Sequence, residues 1–204
     1  MASRLLFLAR HGEQEDTGTE APEVGLSARG RRQATLLGER LRGARIDAVH
    51  HGPLARAAET AGLVAKELPG VPVHEDERAG DHMPHDTDPT GLPARYAEFL
   101  AEFTEAERRD GPRVTAEAVA RFATAPAEGD VRELVITHNF LVAWLVRHAL
   151  EAPERRWIGL NHANCALTVI RYSDAGPPTV VALNDAAHLP PDLRATGFPD
   201  DYRF

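Results

Sequence analysis

The chain has 204 residues, 43% hydrophobic and 26% charged, the proportions of one globular α/β-sized domain, residues 1–204, rather than of a disordered or fibrous chain. A net charge of -8 argues against a nucleic-acid partner or an anionic membrane surface, because proteins that track phosphate backbones carry a basic stripe; a small anionic substrate stays open where cations cluster locally. The lone Cys165 cannot form an intrachain disulfide and sits in an apolar run, so a buried structural thiol in a reducing cytoplasm is expected. No charged segment precedes a removable apolar stretch, and no apolar run approaches bilayer-spanning length.

The first apolar run, Leu5-Leu6-Phe7-Leu8-Ala9, reads as a buried strand that ends in Arg10-His11-Gly12. After a polar loop, Ser27 is a fitting N-cap for a helix through about Leu41, with Ala34, Leu37 and Leu41 at helical spacing. Ile46 to His50 reads as a second strand, and Pro53 suits the first turn of a helix from Leu54 to Leu68 whose first turn carries Arg56. The stretch from Val71 to Pro93 mixes His, Asp, Pro and Gly and reads as a functional loop over one face. Helices are expected over Pro93 to Arg109 and Thr115 to Ala125, then a strand from Glu133 to Thr137 and an apolar helix from Phe140 to Leu150. Strands from Ala166 to Tyr172 and Val180 to Leu183 precede a Pro-rich tail. Apolar runs alternating with helical patterns predict a βαβ arrangement.

Three places share one design, in which a strand ends, a polar group appears and a helix begins. Arg10 and His11 follow the first strand, Arg56 follows the second, and His138 follows Leu134-Val135-Ile136-Thr137. If these strands are parallel neighbours, the four groups converge at one carboxyl edge, where helix N-termini add positive dipole ends. Arginine offers an anion a planar fork of donors, and histidine can act as a nucleophile near neutral pH. Each residue taken alone also has a plain reading, Arg56 as a solvated helix residue and His138 as a hydrogen-bonded core histidine. The histidines at 50, 51, 74, 82 and 85 match no zinc spacing. The chain has no Gly-x-Ser-x-Gly elbow, Walker loop or Gly-x-Gly-x-x-Gly.

Four segments, Leu8-Ala9-Arg10-His11-Gly12-Glu13, Leu26 to Ala34, Pro53-Leu54-Ala55-Arg56 through Ala61, and Val135-Ile136-Thr137-His138, resemble in order the motifs of the histidine phosphatase (phosphoglycerate mutase-like) superfamily. The resemblance covers most of the chain and implies a three-layer α/β/α sandwich around a mostly parallel sheet. It implies His11 as the nucleophile that becomes phosphorylated, with Arg10, Arg56 and His138 binding the phosphoryl group and Asn139 counted among the phosphate-binding residues. It implies no cofactor and no metal, since two arginines and a cationic histidine can neutralise the transferred group. The branch containing a mitochondrial mutase-like protein phosphatase has Glu-x-x-Pro-x-x-x-Asp-Pro, and here Asp81-His82-Met83-Pro84-His85-Asp86-Thr87-Asp88-Pro89 places Asp81 in the acid position. Glu77 is the alternative acid, keeping the glutamate but losing that register.

Departures from the family pattern bear on the substrate. Gln14-Glu15-Asp16 stands where mutases carry a Glu-Thr pair, and His51-Gly52 replaces the usual serine pair before Pro-Leu. Asn139 and Phe140 stand where small residues follow the second histidine. These changes favour hydrolysis over phosphoglycerate mutase activity. The mutase-type phosphotransferase and an idle phosphate-binding or interaction module of the same fold are the alternatives. A phosphorylated small molecule and a phosphoprotein both fit as substrate, with specificity expected in the Asp16 to Gly25 and Val71 to Pro93 loops. Trp144 and Trp157 read as core, with a homodimer contact as their other reading.

Overall fold

A computed structural model describes residues 2–18, 21–194 and 196–197; parts of the Asp16 to Gly25 loop and of the Pro-rich tail lie outside them. The opening apolar run forms β1 (Ser3–Arg10), followed by α1 (Ala28–Leu41). Ser27 caps α1 as expected, its hydroxyl accepting from the Gly30 amide at 3.0 Å and satisfying a donor that the helix start leaves unpaired. Next come β2 (Ala48–His51), α2 (Ala55–Ala65) and a short β3 (Val73–Glu75). Helices α3 (Ala94–Ala101) and α4 (Glu105–Phe122) lead to β4 (Asp130–Thr137), and α5 (Asn139–Ala149) leads to the hairpin of β5 (Leu167–Ser173) and β6 (Gly176–Asp185).

The six strands form one sheet in the order β3-β2-β4-β1-β5-β6. The first four run parallel and only β5 runs against the rest, so the sheet is mostly parallel. Along β1 the side chains alternate: Leu6 and Leu8 pack with Ala118, Phe122, Leu141 and Leu145, while Phe7 and Ala9 pack with Leu37, Leu41, Ala61 and Val64. Helices α4 and α5 thus cover one face and α1 and α2 the other. Burial on both faces is why β1 and β4 read as unbroken apolar runs rather than alternating ones.

This arrangement gives an α/β fold of three layers and fixes where a ligand can sit. The chain leaves β1 toward α1 on one face and leaves β4 toward α5 on the other, yet β1 and β4 are hydrogen-bonded neighbours. Between their carboxyl ends the connections part, opening the crevice in which doubly wound sheets bind ligands.

Three local expectations differ from the structure. Pro53 lies before the N-cap residue Leu54 rather than inside α2. The Val71 to Pro93 stretch contains β3, whose exposed edge position explains its polar composition. The helix break falls at residues 102–104, not between Arg109 and Thr115: Thr104 and Glu107 form a reciprocal capping box, and α4 runs through Pro112. Gly111 is where the Met83 backbone lies against α4, and a Cβ there would come within 2.3 Å of the Met83 carbonyl oxygen. That glycine therefore seats the loop carrying Asp81. Trp144 and Trp157 are buried in a third cluster with Met83, Leu100 and Ala143, as core readings of both require.

Candidate active site

His11 follows β1 directly, its amide donating to the Thr137 carbonyl at 2.8 Å and its carbonyl accepting from Asn164 Nδ2 at 2.9 Å. Its ring is buried, with Nδ1 2.7 Å from the Gly12 carbonyl oxygen. A carbonyl can only accept, so Nδ1 carries the proton and Nε2 keeps a free lone pair. Burial, the adjacent His138 and the cation of Arg10 hold the imidazole well below its ordinary pKa, which keeps it neutral. The amide of Gly12 donates to Thr60 Oγ1 at 3.0 Å, and that hydroxyl donates to the Arg56 carbonyl at 2.7 Å. A Cβ on Gly12 would meet the Gly30 carbonyl at 2.6 Å, so glycine is what lets this turn pack against the start of α1.

His138 caps α5, and its ring centroid lies 4.9 Å from that of His11. Burial pushes it down to about 4 against the pull of Asp81, so it too is neutral, and neither ring nitrogen has a hydrogen-bond partner among the described residues. Arg56 is buried in the first turn of α2; its Nη2 donates to Asp81 Oδ2 at 3.3 Å, while Nε and Nη1 have no hydrogen-bond partner among the described residues. Asp81 Oδ2 also lies 3.4 Å from His138 Nδ1. Two contacts place the aspartate: Thr137 Oγ1 donates to the Ala79 carbonyl at 2.7 Å, and Met83 packs on Gly111. Arg10 Nη1 donates to the carbonyls of His162, at 3.1 Å, and Gly197, at 2.8 Å.

These groups open into a cavity of about 500 Å³ lined by Arg10, His11, Arg56, Asp81, His138 and Asn139, all expected from the sequence. Glu77 does not line it: its side chain is 66% exposed and lies 3.2 Å from His82 Nε2. The Asn139 side chain serves its own chain, Oδ1 accepting from the His162 amide at 2.8 Å. Sequence reasoning missed Asn164, Thr60 and the cavity-lining Phe99 and Glu102. Thr60 carried a usable signal, one helical turn after Arg56 on the same face. Cys165 is buried and burial pushes its thiol up; its amide donates to the Arg10 carbonyl at 3.0 Å, so it anchors structure rather than chemistry.

Chemically, the site sets a neutral nucleophilic nitrogen among buried donors that have hydrogen-bonding capacity to spare, the environment a phosphoryl group needs. Among known proteins, the mitochondrial serine/threonine-protein phosphatase PGAM5 of Rattus norvegicus is 29% identical over 196 residues, covering 94% of this chain and 66% of the rat protein. The chain thus spans just under two thirds of that relative. Among solved structures, YhfR of Bacillus stearothermophilus superposes with a TM-score of 0.66 at 23% identity, covering 91% of this chain and 98% of the other. A phosphoserine phosphatase of Entamoeba histolytica, solved in complex with phosphoserine, superposes at 0.65 and 18% identity, covering 92% and 100%. The model of the histidine phosphatase superfamily (branch 1) matches residues 6–186, and the chain belongs to that superfamily.

Proposed function

We propose that the chain hydrolyses phosphate monoesters without a metal, through a phosphohistidine formed on His11 Nε2, with Asp81 as proton donor and acceptor. The observation that carries this reading is the His11 Nδ1 to Gly12 carbonyl bond of 2.7 Å, which aims the ring's lone pair outward. In the first step Nε2 attacks phosphorus, the P–O bond to the leaving group breaks, and the protonated Asp81 carboxyl gives its proton to the departing oxygen. In the second, water attacks the phosphohistidine and gives a proton to Asp81. The P–N bond breaks, and inorganic phosphate leaves with neutral His11 restored. Arg10, Arg56 and His138 hold the equatorial oxygens, supplying in fixed positions the positive charge and donors that the transferring group needs. Asp81 is favoured over Glu77 for the acid role because it lines the cavity, whereas Glu77 lies outside it. Substrates of both kinds, phosphorylated small molecules and phosphoproteins, suit this chemistry.

The test is turnover of p-nitrophenyl phosphate, followed by isolation of the phosphoenzyme. The expected result is a chelator-insensitive, vanadate-inhibited activity, with an acid-labile phosphate on wild-type protein and neither activity nor label in His11→Ala. Full activity in His11→Ala would overturn the mechanism, and no turnover of any phosphate ester would favour an idle module.

A further inference from the structure

The cavity is larger than a phosphoryl site requires: at about 500 Å³ it falls within the roughly 300–1,000 Å³ of pockets that enclose a whole small molecule. Besides Arg10, His11, Arg56 and His138, its lining includes Phe99, Glu102 and Phe140. Phe99 from α3 and Phe140 from α5 stand with ring centroids 5.9 Å apart, edge to face. Behind them Phe103 lies 5.2 Å from Phe99, and Trp157 lies 5.3 Å from Phe140. Aromatic rings braced on each other form a rigid apolar ledge, the surface on which a flat leaving group gains most.

Beside that ledge the charge reverses. Glu102 ends α3, is exposed, and has no ion pair among the described residues. Glu102 sits at the C-terminal, negative end of the α3 dipole. The cavity's other glutamate is occupied: Glu13 accepts from Ser27 Oγ at 2.7 Å and lies 3.7 Å from Arg29. A phosphate ester held in this cavity therefore shares it with cations for its phosphate, aromatic rings for its body and a carboxylate that has no ion pair among the described residues.

Resting on the hydrolase reading above, we propose that the substrate class is a phosphate monoester with an aromatic leaving group that carries a positive charge, and that Phe99 and Glu102 set this preference. An ester with a second anion on its leaving group, such as a phosphorylated sugar acid, meets repulsion from Glu102. The pairing is electrostatic and partly solvated, so its size is that of an exposed ion pair rather than of a buried one.

The experiment compares kcat/KM for phenyl phosphate, para-(aminomethyl)phenyl phosphate and para-(carboxymethyl)phenyl phosphate across the Glu102 variants, so that the intrinsic difference between the leaving groups cancels. Wild-type protein is expected to prefer the amine over the carboxylate by about fivefold, the scale of an exposed pair. Glu102→Gln is expected to bring that ratio close to one, and Glu102→Lys to invert it. Phe99→Leu, which keeps an apolar side chain in the cluster, is expected to lower phenyl phosphate turnover relative to glycerol phosphate by roughly tenfold, the worth of an aromatic contact. Hydrolysis with an amine-to-carboxylate ratio that Glu102→Lys does not move overturns the substrate assignment alone. An equal fall for both esters in Phe99→Leu overturns the role of the ledge. Wild-type protein that turns over p-nitrophenyl phosphate but none of these esters overturns the substrate assignment alone, whereas no turnover of p-nitrophenyl phosphate either removes the hydrolase reading and the substrate assignment with it.

Discussion

Two buried polar clusters lie along β4, and they treat their hydrogen-bonding capacity in opposite ways. In mid-strand, Glu133 is bound by three neighbours: Arg121 Nη2 donates to Oε1 at 2.7 Å, His50 Nε2 lies 3.2 Å from the same oxygen, and Arg4 Nη1 donates to Oε2. Arg4 is further held by the Thr124 carbonyl at 2.9 Å. Just past the strand's carboxyl end, Arg56 and His138 are equally buried, yet both ring nitrogens of the histidine and two nitrogens of the arginine have no hydrogen-bond partner among the described residues. Both clusters combine arginine, histidine and a carboxylate. A saturated cluster braces α4 against the sheet, whereas an unsaturated one leaves hydrogen-bonding capacity for a group that enters the cavity.

The contrast breaks most visibly at the carboxylates. Asp81→Asn should lower kcat/KM for an alkyl phosphate by roughly 10²–10⁴-fold, the range for loss of a general acid. The loss should be smaller for p-nitrophenyl phosphate, whose leaving group needs no proton. Glu77→Gln should change neither by more than about twofold, as expected for an exposed side chain outside the cavity; the opposite ranking would move the acid role to Glu77. Glu133→Gln should do the reverse of Asp81→Asn. By leaving Arg4 and Arg121 uncompensated, it should cost about 3–5 kcal/mol of stability, read by urea denaturation. Turnover per folded molecule should stay near wild type, and a large kcat loss at unchanged stability would show that the mid-strand cluster takes part in catalysis.

Acid should strain both clusters in the same direction. His50 and His138, one in each, are both pushed down to about 4, chiefly by burial. Below the ordinary histidine pKa near 6.5, the unfolded chain takes up protons that the fold refuses, so these two residues lower stability as pH drops from about 6.5 toward 4, and their contribution levels off beneath that. Replacing either residue with glutamine should remove up to one proton from the slope, at most about 1.4 kcal/mol per pH unit. A urea midpoint that stays flat between these pH values would contradict the burial of both rings as neutral groups.

How far the sequence discloses all this depends on how local each signal is. Arg10, His11 and His138 are legible because an apolar run ends abruptly at each, and Ser27 because capping is decided within three residues. The mid-strand cluster is not legible, since Arg4, His50, Arg121 and Glu133 come from four elements and each alone resembles a surface charge. The aromatic wall is hidden for the same reason: Phe99 and Phe140 look like ordinary helix core, and only the packing of α3 against α5 turns them toward the cavity. Between Arg109 and Thr115, Gly111 and Pro112 disfavour helix locally, yet a tertiary contact, Met83 on Gly111, decides the outcome. The Thr104-Glu105-Ala106-Glu107 box was the better signal for the same boundary.

Asn139 gives the smallest and most discriminating test. The resemblance implies a phosphate ligand, but its Oδ1 accepts from the His162 amide at 2.8 Å, and the His162 carbonyl in turn accepts from Arg10 Nη1 at 3.1 Å. If that chain of contacts is its main role, Asn139→Ala leaves a partly buried amide unpaired and lowers the substrate-free stability by about 1 kcal/mol. Asn139→Asp keeps an acceptor oxygen in the same place and should hold most of that stability, even though its added charge weakens phosphate binding. A residue that only touches substrate would behave differently, with both variants as stable as wild type in the absence of phosphate and both raising KM. Denaturation midpoints measured with and without inorganic phosphate separate the two roles, because only the first couples Asn139 to Arg10 before any ligand arrives.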